Sequence, residues 1–462
     1  VIGGDPTRIN PVLGVQIRSA ARQGAKVVVI GPSGGLRRFV HYELNPGLER
    51  EDQILETALK ALSEEKPQDS GPQWFNTLVE NLVSAEPDER LISDLREMEN
   101  PVVVVGPEVA LRPGARRRLS VVAGIVQVLG ARVFVLSDRA NYQGVLDMGC
   151  TPEGLPGARP IEIETFRHRV DSVMGRETPS QKGLSLFEML EEAEKGNLKA
   201  LVVMGEDLLH WLPWAEKALD NLEFLMVLDI FLSPTARKAH VVVPVAGWSE
   251  KEGTFVNLER RLQRLQEAKP RAGLLADWQV LAKLSKALGM ENTPTDIKAL
   301  WAEIGQVSAL HAGVMPEELG TEGLMFPYHG EALRFSGEVS LELEDVKWPE
   351  RPDRGFYLMP DWSLYHNGSM SGYSRALRTL QSEPYVLINR ADAQRFQIQD
   401  GQMVKIRDFT LKAIVSEDVE PGTLRLPQVF RDINFQQLVP IRRDPETGQV
   451  VFEENITEVE KV

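Results

Sequence analysis

The sequence predicts an α/β protein of parallel sheets flanked by helices, followed by a small C-terminal β-barrel. Two observations carry that expectation. Five short apolar runs within 100–247 are separated by helical spacers, and such alternation predicts buried parallel strands with helices on both faces. From about residue 354 the pattern changes to short alternating strands broken by glycine turns, which predicts a barrel.

The elements follow in order. "VIGGDP" (1–6) ends a strand and turns into the helical pattern "NPVLGVQIRSAARQG", closed by Gly24. "AKVVVIG" (25–31) is a second strand. Amphipathic helices are expected at about 50–64, 74–85 and 88–98, with the breaker-rich "KPQDSGPQ" (66–73) between the first two. The five apolar runs are "NPVVVVGPEV", "ARVFVLSDRANYQG", "KALVVMGEDLLHW", "LEFLMVLDIF" and "AHVVVPVAG", and their loops are expected on one common rim. A helix is predicted over 276–289, ending at Gly289, and 292–350 reads as a connecting region. "EPYVLINR", "DGQMVKIRD", "LKAIVSED" and "PGTLRLPQ" are the barrel strands. Three domains are expected: a partial α/β nucleotide-cradle-like domain over 1–98, a larger α/β domain over 99–345, and the barrel over 352–462.

Composition narrows function. The 462 residues carry a formal charge of −15, which argues against nucleic acid as a partner, because phosphates would be repelled. No stretch approaches the ~18 consecutive apolar residues of a membrane span. The chain does not begin with Met and opens inside a probable strand, so its natural start is expected upstream. Cys150 is the single cysteine, which excludes internal disulfides and a cluster held by four cysteines of this chain. The seven histidines show no His-x-x-x-His spacing, and neither a Walker loop nor Gly-x-Ser-x-Gly is present.

Four stretches hold the candidate chemistry. Gly3-Gly4-Asp5-Pro6 and Gly205-Glu206-Asp207 follow apolar strands and precede helices, where glycine lets backbone approach a phosphate; tight-turn chemistry alone is the simpler reading. "WSEKEGTFVNLERRLQR" (248–264) crowds Ser249, Glu250, Gly253, Asn257, Arg260 and Arg261 after a buried strand, with a solvated helix start as the alternative. "RANYQGVLDMGCTPEGLPG" (139–157) is polar and glycine-rich, and resists assignment to regular structure. Cys150 within it is a thiolate candidate without a paired base, so an inert thiol is the expectation.

Together these segments resemble the molybdopterin oxidoreductase superfamily over essentially the whole chain. "VIGGDPTRINPVLGVQIRSAARQGAKVVVIGP" resembles its first nucleotide-cradling segment, and "NYQGVLDMGCTPEGLPG" its Asn-x-Gln-Gly-x-x-Asp-Met-Gly stretch. "LDIFLSPTARKAHVVVPVAGWSEKEGTFVNLERRLQR" follows in the expected order, and "LYHNGSMSGYSRAL" opens the dinucleotide-binding barrel. The resemblance implies molybdopterin guanine dinucleotide as the cofactor where one is retained. Its binding residues would be Gly4, Asp5, Pro6, Gly205, Asp229, Ser249, Gly253, Asn257, Gly368 and Ser369; no catalytic or metal-ligating residue is assigned.

Two groups within the superfamily fit best: the large iron–sulfur subunit of bacterial NADH–quinone oxidoreductase (complex I), and the catalytic subunit of NAD-dependent formate dehydrogenase. Both imply iron–sulfur clusters on an upstream part. Departures favour the first. The family's Asp-Pro-Arg after the second strand is Gly31-Pro32-Ser33 here. Its barrel segment Gly-Thr-Met-Thr-Arg-Arg-Ser is Gly368-Ser369-Met370-Ser371-Gly372-Tyr373-Ser374, without either arginine, and Asn434-Phe435-Gln436-Gln437 replaces an Asn-x-Leu-Thr-like pocket. Hydrogen bonds to charged groups contribute about 1.5–3 kcal/mol each, so three losses would weaken an anionic dinucleotide strongly. The expectation is therefore a scaffold in a peripheral electron-transfer arm, without its own redox centre. It would contact other subunits of a respiratory or NAD-linked complex, cytoplasmic and peripheral to the membrane. The alternatives are a formate dehydrogenase-like catalytic subunit and a stand-alone assembly module.

Overall fold

The computed structural model describes residues 1–64, 72–82, 85–269, 271, 273–290, 293–326, 351–365, 368–427, 430, 435–439, 441–443, 450–452 and 456–462. The chain forms two compact units, Val1–Asp138 with Glu338–Val462, and Arg139–Gly337.

In the first unit a parallel sheet runs Tyr42–Leu44, Val28–Ile30, Ile2, Val102–Val105, Arg132–Val135. Ile2 joins its two halves by bridging to both Ile30 and Val105. That linkage draws the strands at 102 and 132 into this unit, so the five apolar runs occupy two sheets instead of one. Helices Leu48–Ser63 and Ala115–Leu129 bury Leu55, Leu59, Val121 and Ile125 in the same core as Val28, Ile30, Val103 and Val105. Gly3 and Gly106 meet at the strand ends, where Gly106 N–H donates to the Ile2 carbonyl at 2.8 Å. A Cβ on residue 106 would stand 2.0 Å from the Gly3 carbonyl oxygen, so only glycine permits this approach.

The same unit contains the C-terminal barrel. Its seven-stranded sheet runs Ile456–Glu458, Gly355–Asp361, Thr423–Pro427, Tyr385–Asn389, Phe409–Ser416, Met403–Ile406, Glu460–Lys461. The two edge strands are separated in sequence by Val459 alone, so the chain terminus nearly closes the sheet on itself. Period-two alternation fills it: Val404 and Ile406 are buried while Met403 and Lys405 are exposed. All four strand segments read from the sequence are present, and Gly355–Asp361 joins them as a fully buried strand.

The second unit is built on a three-stranded parallel sheet, Ala200–Met204, Phe224–Asp229 and Val241–Pro244. Helix Asp277–Ala287 covers part of one face, with Val280 and Leu284 packed on Met226 and Leu228. Two expectations change here. The 248–264 stretch forms an antiparallel hairpin, Gly253–Val256 with Arg261–Leu265, and not a helix start; Thr254, Phe255 and Val256 favour a pleated backbone. Residues Tyr142–Asp147 form a short helix entered from Asn141 at φ 61°, a left-handed turn that asparagine tolerates. The connecting region contains helix Ile297–Val307, while 327–350 lies outside the described residues.

Candidate functional site

At the carboxyl end of the first unit's sheet, the Gly3-Gly4-Asp5-Pro6 turn opens on a cavity of about 30 Å³. Gly4, Asp5, Gly31, Gly34 and Trp362 contribute to its wall. Asp5 caps helix Pro6–Ile9: one carboxylate oxygen accepts from Thr7 N–H at 2.8 Å and from its hydroxyl at 2.7 Å. The other accepts from Gly35 N–H at 3.1 Å. These backbone donors are thus already occupied by a carboxylate of the chain itself.

The remaining wall is mostly acidic. Six carboxylates line the cavity, from Asp5, Glu51, Glu108, Asp361, Asp418 and Glu420, against the guanidiniums of Arg8 and Arg425. Arg8 donates to Asp361 at 2.7 Å, and the Tyr385 hydroxyl donates to the other Asp361 oxygen at 2.7 Å. Burial, with Asp361 beside it, pushes the Tyr385 phenol well up. Arg425 forms two parallel bonds to Glu108 at 2.7 and 2.8 Å, and its Nε donates to Glu420 at 2.9 Å. Arg112, fully buried, donates to Glu51 Oε2 at 2.7 Å, while Glu51 Oε1 is buried with no hydrogen-bond partner. Burial, with Glu420 and Glu108 adding to it against the pull of Arg112, pushes Glu51 up to about 7.

The cavity is smaller than the ~300–1,000 Å³ usual for ligand pockets, and both guanidiniums in its wall are paired with carboxylates of the chain. Gly31 stands where the resemblance implies a carboxylate, and a Cβ there would lie 3.3 Å from Glu51 Oε1. Gly4, Asp5 and Pro6 are therefore brought together at a rim turn, but Asp5 is consumed in capping. Gly368 and Ser369 open a 3₁₀ turn at the barrel and are not part of this wall; Asn434 lies outside the described residues.

In the second unit, Gly205 and Asp229 sit side by side at the ends of paired strands, with Gly205 N–H donating to the Leu228 carbonyl at 2.8 Å. Gly205 has φ 63° and open space about its Cα. Asp229 folds its carboxylate onto Ile230 and Phe231 N–H at 2.6 and 3.2 Å. Gly253 opens one strand of the hairpin and Asn257 follows its end; Asn257 Oδ1 accepts from Glu259 and Arg261 N–H, both at 2.9 Å, shaping the turn. Ser249 accepts two backbone bonds through its carbonyl, from Ala268 at 3.0 Å and Lys269 at 3.1 Å.

The Asn141–Gly149 stretch is structural. Asp147, fully buried, accepts from Gln143 at 2.8 Å and from Arg260 at 2.6 Å, while Asn141 Oδ1 accepts from Val256 N–H at 2.8 Å. These bonds pin the hairpin to the short helix. Cys150 is exposed, and desolvation raises its thiol pKa, so the thiolate is disfavoured. Among the described residues no group of three His, Cys, Asp or Glu side chains is placed to hold a metal ion, and no helix is long and apolar enough to cross a membrane.

Sequence reasoning missed the charged wall. One signal was present: Arg425 interrupts "TLRLP", a central strand whose five residues are all buried. A charge at such a position requires buried partners.

Parallel sheets flanked by helices, with a nearly closed seven-stranded sheet at the C-terminal end, define an α/β class with an added barrel-like sheet. Family models agree and extend it: the molybdopterin oxidoreductase model matches residues 1–287 and the molydopterin dinucleotide binding domain model residues 356–456. The chain belongs to the molybdopterin oxidoreductase family. It is 30% identical over 347 residues to the F420-dependent formate dehydrogenase subunit alpha of Methanocaldococcus jannaschii, covering 68% of this chain and 50% of that protein. It is 29% identical over 465 residues to an NADH-quinone oxidoreductase subunit of Rhizobium meliloti, the one designated G 2, covering 95% of this chain and 53% of that protein. The chain thus spans about half the length of these relatives. Acetylene hydratase from Pelobacter acetylenicus shares the fold at TM-score 0.61 and 14% identity, over 98% of this chain and 76% of that one.

Proposed function

We propose that this chain is a scaffold region of the large iron–sulfur subunit of an NADH–quinone oxidoreductase-type complex, with no redox centre of its own. The observation that carries this reading is the first cradle: about 30 Å³, lined by six carboxylates, with its arginines paired internally. An anionic dinucleotide would meet net repulsion there, because both lining guanidiniums already neutralise carboxylates of the chain. Similarity to the Rhizobium meliloti oxidoreductase subunit along 95% of the chain supports the same reading. Electron transfer then runs through groups carried outside this chain, and the folded units serve other subunits on the cytoplasmic side of a membrane.

A formate dehydrogenase-like catalytic role is the second reading. It is favoured by the open rim at Gly205 in the second unit and by the 30% identity to a formate dehydrogenase subunit. In that case Gly205, Asp229, Ser249 and Gly253 would line one dinucleotide.

Metal analysis of the purified full-length protein decides between them, together with titration of GDP as a probe of the guanine dinucleotide end. The scaffold reading expects neither molybdenum nor tungsten, and no saturable GDP binding. Stoichiometric metal overturns it.

A further inference from the structure

In the first unit's sheet, Ile2 joins the strands Val28–Ile30 and Val102–Val105 near their carboxyl ends. Toward their amino ends a cavity of about 600 Å³ lies between the same two strands. Strand backbone forms two of its walls. In a parallel ladder alternate residues bond to alternate neighbours. Arg132 N–H donates to the Pro101 carbonyl at 3.1 Å and Leu136 N–H to the Val105 carbonyl at 2.8 Å, whereas Ile2 N–H donates to the Val104 carbonyl at 2.9 Å. The Val102 carbonyl and Val104 N–H therefore face the cavity. On the other side, His41 N–H donates to the Val27 carbonyl at 2.8 Å, and the Val1 nitrogen to the Val28 carbonyl at 2.8 Å. The Lys26 carbonyl and Val28 N–H therefore face the cavity as well. These are the positions at which a strand continuing upstream from Val1 would bond on both edges.

Apolar side chains form the other two walls. Leu13, Ile17 and Ala20 make one stripe of helix Pro11–Arg22 along the cavity, and the one residue this helix buries is Gly14. Ile125 and Leu129 of helix Ala115–Leu129 line the cavity too, with Leu55 and Ala58. Right-handed crossovers leaving the centre of a parallel sheet in opposite directions place these two helices on opposite faces. The space between them suits a strand that is apolar on both faces, as central parallel strands are. Register sets its length. Ile2 lies opposite Ile30 and Val105, so Ala25 and Asn100 flank the fourth position before Val1, and beyond them the lining turns polar at Glu97 and Glu99.

We infer that this cavity is a strand slot, filled by a run of about four apolar residues that precedes Val1 in the same polypeptide and completes the sheet. Val1 enters the sheet at the mouth of the slot, which ties the occupant to its own chain. Its nitrogen is placed as a peptide nitrogen would be: burial pushes the amine down to about 5, and a neutral amide offers the single N–H that the Val28 carbonyl accepts. The relatives from Methanocaldococcus jannaschii and Rhizobium meliloti are about twice as long as this chain's match to them, which leaves room for such a segment.

The test uses the full-length protein. Hydrogen exchange resolved to single amides should find Val28 and Val104 protected to within about tenfold of Val103, whose N–H faces the strand Arg132–Val135. Exchange at both sites near the rate of exposed backbone overturns the slot. A diazirine side chain in place of Ile17 should, on irradiation, join the residues just before Val1 within one molecule, as read by mass spectrometry of the digest. An adduct between two copies, an adduct with another protein, or protection without any adduct to that segment overturns the assignment to the same polypeptide. Ile17→Lys, on the stripe facing the slot, should speed exchange at Val28 and Val104 about tenfold and leave Val103 unchanged. Equal acceleration at all three amides would show general loosening of the sheet and overturn the role given to this wall.

Discussion

Arg425, in the middle of a barrel strand, reaches Glu108 on the α/β part of the first unit through two parallel bonds of 2.7 and 2.8 Å. The two residues are 317 positions apart, and both are buried. Arg425 also holds Glu420 of its own barrel, so one guanidinium bridges two carboxylates from two parts of one unit. Its pKa is raised well above the ordinary value by these two partners, against the effect of burial. The ion pair stands within the wall of the cradle, where a cofactor's own charges would otherwise require partners.

Arg425→Met should therefore be severely destabilising, because it leaves Glu108 and Glu420 buried without a counter-charge. Breaking such a buried pair costs about 3–5 kcal/mol. Adding Glu108→Gln and Glu420→Gln should recover much of the loss, since the uncompensated charges disappear. Denaturant unfolding of the single and triple variants measures both; a triple variant no better than the single one would refute the charge explanation.

Gly106→Ala tests the steric side of the same rim. The new Cβ would meet the Gly3 backbone carbonyl at 2.0 Å, and a backbone atom cannot rotate away as a side chain can. The strand ends must separate, taking with them the Gly106 N–H bond to Ile2. A loss of about 3 kcal/mol or more is expected, in the range that marks backbone strain. Thermal unfolding within a degree or two of wild type would show that the turn tolerates a side chain.

In the second unit, Arg260→Ala should loosen the hairpin Gly253–Leu265 specifically. Asp147 is fully buried, and its 2.6 Å partner would be lost, at a cost of about 3 kcal/mol. Hydrogen exchange should rise across the hairpin and the helix Tyr142–Asp147, while the first unit's sheet keeps its protection. Uniform loss of protection in both units would contradict a local clasp.

These pairs mark how far the sequence could be read. Strands and helices were legible because period-two and 3.6-residue patterns depend on neighbours along the chain, as at Val404 and Ile406 or in helix Asp277–Ala287. The glycine turn at Gly3–Pro6 was legible as well. Hidden were the partners of buried charges: nothing near Arg425 in the sequence names Glu108, and nothing near Asp147 names Arg260, 113 positions away. Hairpin 253–265 was missed because its polar residues alternate with Phe255, Val256 and Leu262, a pattern that also suits a solvated turn. Division of the parallel strands between two sheets turned on the bridges from Ile2, a two-sided contact that a lone apolar residue cannot announce.

The two units should respond to pH in opposite directions. Glu51 in the first is pushed up to about 7 by burial, from 4.5. The fold thus favours its protonated form. That contribution is fully present below about pH 4.5 and is lost as pH rises through 7, with a magnitude on the order of 3 kcal/mol. His311 in the second unit is lowered from 6.5 to about 4 by burial, against Trp301 and Phe326, with Ser308 Oγ 2.7 Å from its Nδ1. The fold favours neutral imidazole there, so this contribution is present above pH 6.5 and is lost as pH falls towards 4. Hydrogen exchange resolved by segment, between pH 4.5 and 7, should show first-unit protection falling with pH and second-unit protection rising, after correction for intrinsic exchange. Glu51→Gln should flatten the first trend and leave the second; His311→Leu should do the reverse. Parallel trends in both units, or variants that flatten the wrong one, would show that other groups set the pH dependence.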